Sequence, residues 1–201
     1  MNIGLLALQG AFREHRLAFE RVGAEVHEVR LPAHLDGLDG LVIPGGESTT
    51  MAKLMRAYEL DDAIAAYHAG GGAVWGTCAG AILVAEAILA RPEQPHLSLL
   101  PITVERNAYG RQVASFEADL NVTGLDAPFR AVFIRAPRIA DAGDEVDVLA
   151  RFRGDPVAVA HGRTMATVFH PELSGDDRVH ALFLDRLAAS DAAREPTGAG
   201  R

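Results

Sequence analysis

The 201-residue chain holds one cysteine, Cys78, and one lysine, Lys53. A lone thiol excludes both an internal disulfide framework and a thiolate-rich zinc site. Positive charge is also short. Nineteen Lys and Arg stand against 27 Asp and Glu, a formal net of −8, which argues against a nucleic-acid-binding face, because such a face must displace counterions from phosphates. No run approaches the roughly 20 apolar residues of a membrane span. The opening apolar run, residues 3–8, is too short for a signal-peptide core and follows no basic segment. There is no His-Glu-x-x-His or comparable cluster, so neither a metal nor another cofactor is expected. What remains is an ordinary globular mix, 49% apolar and 23% charged, of a length that makes one domain, and a reduced cytoplasmic enzyme is the expected class.

Short apolar runs alternate with amphipathic segments through the first half. Residues 3–8, 26–31, 38–43 and 73–75 read as buried strands, and residues 11–22, 51–58, 61–68 and 81–89 as helices, with Ser48 or Thr49 as the cap of the second. Strand and helix in alternation with short connections predict parallel strands joined by right-handed crossovers. After Pro92 the pattern becomes strands without helices, with turns at residues 153–156 and 161–164. The expected fold is therefore α/β: a three-layer sandwich around a mostly parallel sheet, with antiparallel additions in the second half. A helix over residues 176–189 closes a single domain, 1–189, and residues 190–201, small and polar, read as a disordered tail.

Gly76-Thr77-Cys78-Ala79-Gly80 follows a strand and opens a helix, the context of a nucleophile elbow with cysteine as the nucleophile. So sharp a turn strains the backbone at the nucleophile and needs bare neighbours, here Gly76 and Gly80. An ordinary thiol titrates near about 8.5, and a helix N-terminus is worth only about 0.3–1 kcal/mol to an anion. A basic partner is required, and histidine is the usual one. Of eight histidines, His15, His68 and His180 fall in expected helices and His34 in a loop, and these read as solvated. His27 lies in a strand and His161 in a turn. His170 differs because it ends a strand and has a carboxylate two residues on, Glu172, which in extended backbone points the same way and can orient the imidazole. Pro44-Gly45-Gly46-Glu47-Ser48 ends another parallel strand, and active sites of open α/β sheets lie at those ends. The N–H groups of Gly46 and Ala79 could then form an oxyanion hole. No Gly-Lys-Ser/Thr follows, so the loop is not a phosphate loop.

Together, Gly76 to Gly80, the Pro44-Gly45-Gly46 loop and His170-Pro171-Glu172 resemble the triad-type (class I) glutamine amidotransferases, and within them the glutaminase subunits of pyridoxal 5′-phosphate synthases. The narrower resemblance rests on Ala7-Leu8-Gln9-Gly10 with Arg13-Glu14-His15, on Glu47-Ser48-Thr49, on Arg106-Asn107-Ala108-Tyr109-Gly110-Arg111-Gln112, on Ser115-Phe116-Glu117, on Phe133-Ile134-Arg135-Ala136-Pro137 and on Phe169-His170-Pro171-Glu172-Leu173. It spans about residues 2–187. The resemblance implies a flavodoxin-like fold and hydrolysis of L-glutamine to glutamate and ammonia: Cys78 attacks the side-chain amide to give a γ-glutamyl thioester, His170 serves as base and then acid, and Glu172 orients it. It further implies that Gly46, Glu47, Ser48, Arg106, Ile134 and Arg135 contact glutamine. The implied partner is a synthase subunit, a dodecameric core carrying up to twelve glutaminases, which builds pyridoxal 5′-phosphate from ribose 5-phosphate and glyceraldehyde 3-phosphate. The free glutaminase is expected to be nearly inactive. Two other readings stay open: a γ-glutamyl hydrolase or peptidase-like cysteine hydrolase on the same fold, and a non-catalytic regulatory subunit.

Overall fold

The computed structural model describes residues 1–106 and 115–194. In chain order its elements are β1 (Asn2–Leu6), α1 (Phe12–Arg21), β2 (Glu25–Val29), β3 (Gly40–Ile43), α2 (Ser48–Ala57), α3 (Leu60–Ala69), β4 (Ala73–Thr77), α4 (Ala79–Val84) and β5 (Ala85–Leu89). There follow β6 (Leu100–Glu105), β7 (Ser115–Leu120), β8 (Phe129–Ile134), β9 (Arg138–Ala142), β10 (Asp147–Phe152), β11 (Asp155–His161), β12 (Thr164–Thr167) and α5 (Arg178–Arg194). Short 3₁₀ turns occupy Pro32–Leu35 and Pro171–Leu173.

The expected parallel sheet is present. Seven strands run in the order β10-β11-β12-β4-β3-β1-β2, and the last five of these are mutually parallel. β11 is antiparallel to both its neighbours. The β10–β11 hairpin turns through Arg153 and Gly154, at φ 52° and 94°, a two-residue connection that suits the twist of the strands. Alternation along β4 shows how both faces are covered. Trp75 packs its ring against Phe19 of α1 and Phe183 of α5, whereas Gly76, on the opposite face, lies against Gly80 of α4. All five residues of β4 are buried, as a central strand between helical layers requires. The remaining additions form two smaller units: β5-β6-β9, and the antiparallel pair β7-β8.

Three expectations need correction. The helix foreseen over residues 81–89 stops at Val84, and Ala85–Leu89 is a strand parallel to β6. The chain before β6 takes the end of the helix: Leu97 N–H donates to Leu83 O at 2.7 Å and Leu99 N–H to Val84 O at 2.9 Å. A short apolar run does not by its own pattern distinguish a buried helix from a buried strand. The cap of α2 is Glu47, not Ser48 or Thr49. At the far end α5 continues through Arg194, so the tail expected from 190 is helical as far as 194. Ser190 Oγ bonds Arg186 O at 2.8 Å, and Asp191 pairs with Arg163. Residues 195–201 lie outside the described residues, as does 107–114, most of the Arg106–Gln112 segment.

Candidate active site

The C-terminal ends of three adjacent strands, β12, β4 and β3, converge on one place. Cys78 comes directly after β4 with φ 49° and ψ −101°, a conformation L-residues seldom adopt and one that stands at functional turns. Only bare neighbours permit it. A Cβ on Gly80 would collide with the carbonyl oxygen of Ile43, and one on Gly76 with the backbone of Gly80. Cys78 N–H donates to Thr167 O of β12 at 2.8 Å, and its Sγ lies 3.8 Å from Ile134 O at the end of β8. Ala79, buried, opens α4 immediately beyond.

β12 runs parallel beside β4, so the chain leaving it passes the elbow. His170 N–H is tied to Val132 O of β8 at 2.8 Å. Its Nδ1 meets Glu172 Oε1 at 2.7 Å, and Cys78 is its neighbour, a Cβ on Gly45 being within reach of both the imidazole and the Cys78 side chain. The link from His170 to Glu172 is not the extended one foreseen, because Glu172 lies in the 3₁₀ turn Pro171–Leu173. The turn still delivers the carboxylate to the ring. Burial works against charge on His170, but contacts with Cys78 and Glu172 outweigh it and push the imidazole up to about 10. Burial would likewise raise Glu172, yet His15 and His170 hold its carboxyl below the usual range.

Gly45 and Gly46 close over this pair. A Cβ on Gly45 would strike the His170 ring, and one on Gly46 would lie 2.6 Å from Gln9 Oε1. The loop is fastened by two bonds, Ala11 N–H to Gly45 O at 3.0 Å and Glu47 N–H to Gln9 Oε1 at 2.8 Å. Glu47 turns its carboxylate to the start of α2, accepting from Thr49 N at 3.1 Å and Thr50 N at 2.7 Å. Although burial opposes it, the hydrogen bonds from Thr50 and Thr49 bring its carboxyl down to about 2. Arg106 approaches Glu47 Oε1 at 3.3 Å and Thr49 Oγ1 at 3.1 Å, and also bonds Gln94 Oε1. In front of the sulfur lies a cavity of about 460 Å³ whose walls include Cys78, His170, Gly46, Ser48, Arg106 and Arg135, well within the size of small-molecule clefts. Glu47, Ala79 and Ile134 also reach it, and Arg135 enters it with a positive φ of 44°. Every site residue foreseen from the sequence, apart from the carboxylate Glu172 behind the imidazole, therefore borders one cavity. A larger groove of about 760 Å³ runs along the outer strand β2, lined by polar residues such as Arg16, Glu28 and Asp36. It has no nucleophile.

Two histidines expected to be solvated are instead fully buried behind the site. His15 of α1 and His180 of α5 have no exposed surface, and His15 Nε2 stands 3.4 Å from Glu172 Oε2. Helical position alone suggested nothing of this. The available signal was His180 beside Val179 on the apolar face of the last helix, and it was not decisive. Gln9, quoted only as part of a motif, proves to be the clasp of the glycine loop.

A strained cysteine at the end of a parallel strand, with a carboxylate-backed histidine from the next strand and a cavity before it, is an arrangement suited to hydrolysis through a thioester on an α/β fold. Comparison with known proteins narrows this. The chain belongs to the SNO glutamine amidotransferase family, whose profile matches residues 5–189. It is 55% identical over 188 residues to a protein of Deinococcus radiodurans named pyridoxal 5′-phosphate synthase subunit PdxT, covering 92% of this chain and 96% of that one. A protein of the same name from Thermus thermophilus is 53% identical, covering 91% and 96%. A solved structure described as a glutamine amidotransferase superposes with a TM-score of 0.89 at 51% identity, covering 92% of this chain and 98% of that one. PurLQS of Thermotoga maritima, 18% identical over 96% of this chain and 97% of its own with a TM-score of 0.66, shares the fold.

Proposed function

We propose that the chain hydrolyses L-glutamine to L-glutamate and ammonia through Cys78, His170 and Glu172, and delivers the ammonia to a pyridoxal 5′-phosphate synthase subunit. The observation that carries this is the His170 imidazole, bonded to the Glu172 carboxylate and sharing with Cys78 both the wall of the cavity and the cover of Gly45. His170, its basicity raised by the site, holds the proton given up by the thiol before the sulfur adds to the amide carbon. The resulting oxyanion is received by the N–H groups of Ala79 and Gly46. Collapse breaks the C–N bond, His170 returns its proton to the departing nitrogen as ammonia forms, and a water deprotonated by His170 then cleaves the thioester. Glu172 keeps the Nδ1 proton in place, leaving Nε2 for these transfers.

The amino-acid end of glutamine is assigned to Glu47, Ser48, Arg106, Ile134 and Arg135. Ser48 Oγ supports this, being buried on the cavity wall with no hydrogen bond among the described residues. The Arg106 guanidinium suits the α-carboxylate, which it can grip with two parallel bonds.

The relatives' name, synthase subunit, supports a synthase partner; the assembly inferred is a dodecameric core carrying up to twelve glutaminases, in the cytoplasm, where a catalytic thiol stays reduced. Docking can act through the glycine loop. Inverting the Gly45–Gly46 peptide gives up the bond from Ala11 N–H, about 0.5–1.5 kcal/mol, little beside a protein interface. The test is ammonia release from glutamine by wild type and Cys78→Ala, each with and without the synthase subunit. Turnover is expected only with Cys78 present and to rise steeply on adding the synthase. Turnover by Cys78→Ala overturns the nucleophile, and equal wild-type rates with and without synthase overturn activation by docking. Preferential cleavage of γ-glutamyl peptides would instead mark a γ-glutamyl hydrolase.

A further inference from the structure

Behind the catalytic carboxylate the structure holds a buried polar chain that the proposed mechanism does not use. Glu172 presents Oε1 to His170, while its other oxygen, Oε2, is buried and makes no well-formed hydrogen bond among the described residues. The polar group near it is His15 Nε2, at 3.4 Å, which also lies 3.2 Å from Thr77 Oγ1. His15 Nδ1 in turn meets His180 Nε2 at 2.9 Å. Both rings are walled in by aromatics: Trp75 lies edge-on to His15, and Phe19 and Trp75 to His180.

The hydrogen bonds admit two arrangements of protons, and they are not equivalent. In one, His180 Nε2–H donates to His15 Nδ1, and His15 Nε2–H then points at Thr77 Oγ1 with its positive end beside Glu172 Oε2, 3.4 Å away. The atom left over is His180 Nδ1, which has no partner and in this arrangement is a bare lone pair. In the other, His15 Nδ1–H donates to His180. The lone pair of His15 Nε2 then faces the carboxylate, and His180 Nδ1–H becomes a buried donor with nothing to bond. A lone pair against an anion and an orphaned donor are both costly, so the first arrangement prevails. Burial lowers the basicity of both rings, His180 strongly, which keeps each to one proton.

We propose that His15 and His180 are positioning residues of the hydrolytic site: His180 fixes the tautomer of His15, whose Nε2–H holds Glu172 from behind while His170 holds it from the front. This rests on the reading of Cys78, His170 and Glu172 as the catalytic set. The consequence is chemical as well as steric. A carboxylate so buried, with a partner on one oxygen only, would gain a proton more readily, and a protonated Glu172 no longer accepts from His170 Nδ1–H. The charged and titratable groups facing the pair are Glu172 and His170 from the strand-end turn, Glu14 from α1 itself, and Arg21 near His180.

The test joins kinetics to spectroscopy. In the complex with its synthase, His15→Leu is expected to lower kcat about tenfold with KM held within about twofold, and to move the acid limb of the rate–pH profile up by about half a unit or more. His15→Gln, which can return an N–H near the lost one, should recover both. A purely structural role would scale activity equally at every pH and give Gln no advantage over Leu, and that result overturns the proposal. Nitrogen-15 imidazole spectra of the unaltered chain provide a test that does not depend on variants folding. Protons are expected on Nε2 of both His15 and His180, and a proton on His15 Nδ1 refutes the relay. If wild type fails to hydrolyse glutamine in the complex, the functional reading falls. The tautomers, and the pH dependence of Cys78 alkylation in wild type and His15→Gln, still decide the relay separately.

Discussion

At the scale of single residues the site depends on what is missing as much as on what is present. Cys78 keeps its left-handed φ because Gly76 and Gly80 carry no Cβ, and the two positions are not interchangeable with surface glycines. Gly23 also has a positive φ, of 83°, but a Cβ there would meet nothing within 4 Å. Gly80→Ala is therefore expected to destabilise the chain by about 1–3 kcal/mol, the cost of overpacking, and to slow alkylation of Cys78 by displacing the elbow. Urea unfolding and the alkylation rate would measure the two effects, and a variant unchanged in both would contradict the elbow geometry. These residues were legible in the sequence because a nucleophile elbow needs particular residue types within five positions. His15 and His180 were not. They are 165 positions apart, and nothing local tells a histidine that its helix will bury it.

The elements show where local preference was overridden. Ser48 and Thr49 are good caps by residue type, yet Glu47 takes the position because the strand β3 and its Pro44-Gly45-Gly46 loop set where the chain turns into α2. Its carboxylate satisfies two N–H groups that the helix leaves unpaired. Glu47→Ala is expected to cost about 0.5–2 kcal/mol, with Glu47→Gln losing less because it keeps an acceptor, as read by thermal or urea unfolding at pH 7. With the folded carboxyl near about 2 and an ordinary one near 4.5, the cap's charge contributes fully above about 4.5 and is lost only as pH falls through about 2. An α4 that yields to β5 illustrates the same point. Whether an apolar run coils or extends was settled by residues 97–105, which end the helix and pair with the strand that follows it.

For the whole molecule, the buried histidines set the response to pH. His15 and His180 have folded pKa values below 6.5, so as pH falls below about 6.5 the unfolded chain binds protons that the folded one refuses. Stability then rises with pH on the acid side, by at most about 1.4 kcal/mol per pH unit for each ring. His170 has the opposite sign. Its folded value of about 10 makes its contribution complete below about 6.5 and lost as pH rises toward 10. Unfolding free energies measured from pH 5 to 9 are expected to peak near 6.5, and His180→Phe to flatten the acid side. A steady rise through pH 8 would contradict this.

By itself the sequence determined the kinds of element, the parallel character of the sheet and the place of the cysteine elbow, because each is written in residues close together: apolar runs, glycine spacing, a strand followed by a helix. Only the tertiary structure decided strand order, the joining of β12 to β4 that brings His170 to Cys78, the clasp of Gln9 on the glycine loop and the burial of His15 against Glu172. Those contacts link residues far apart in the chain, and their energies exist only once the sheet has brought them within hydrogen-bonding distance.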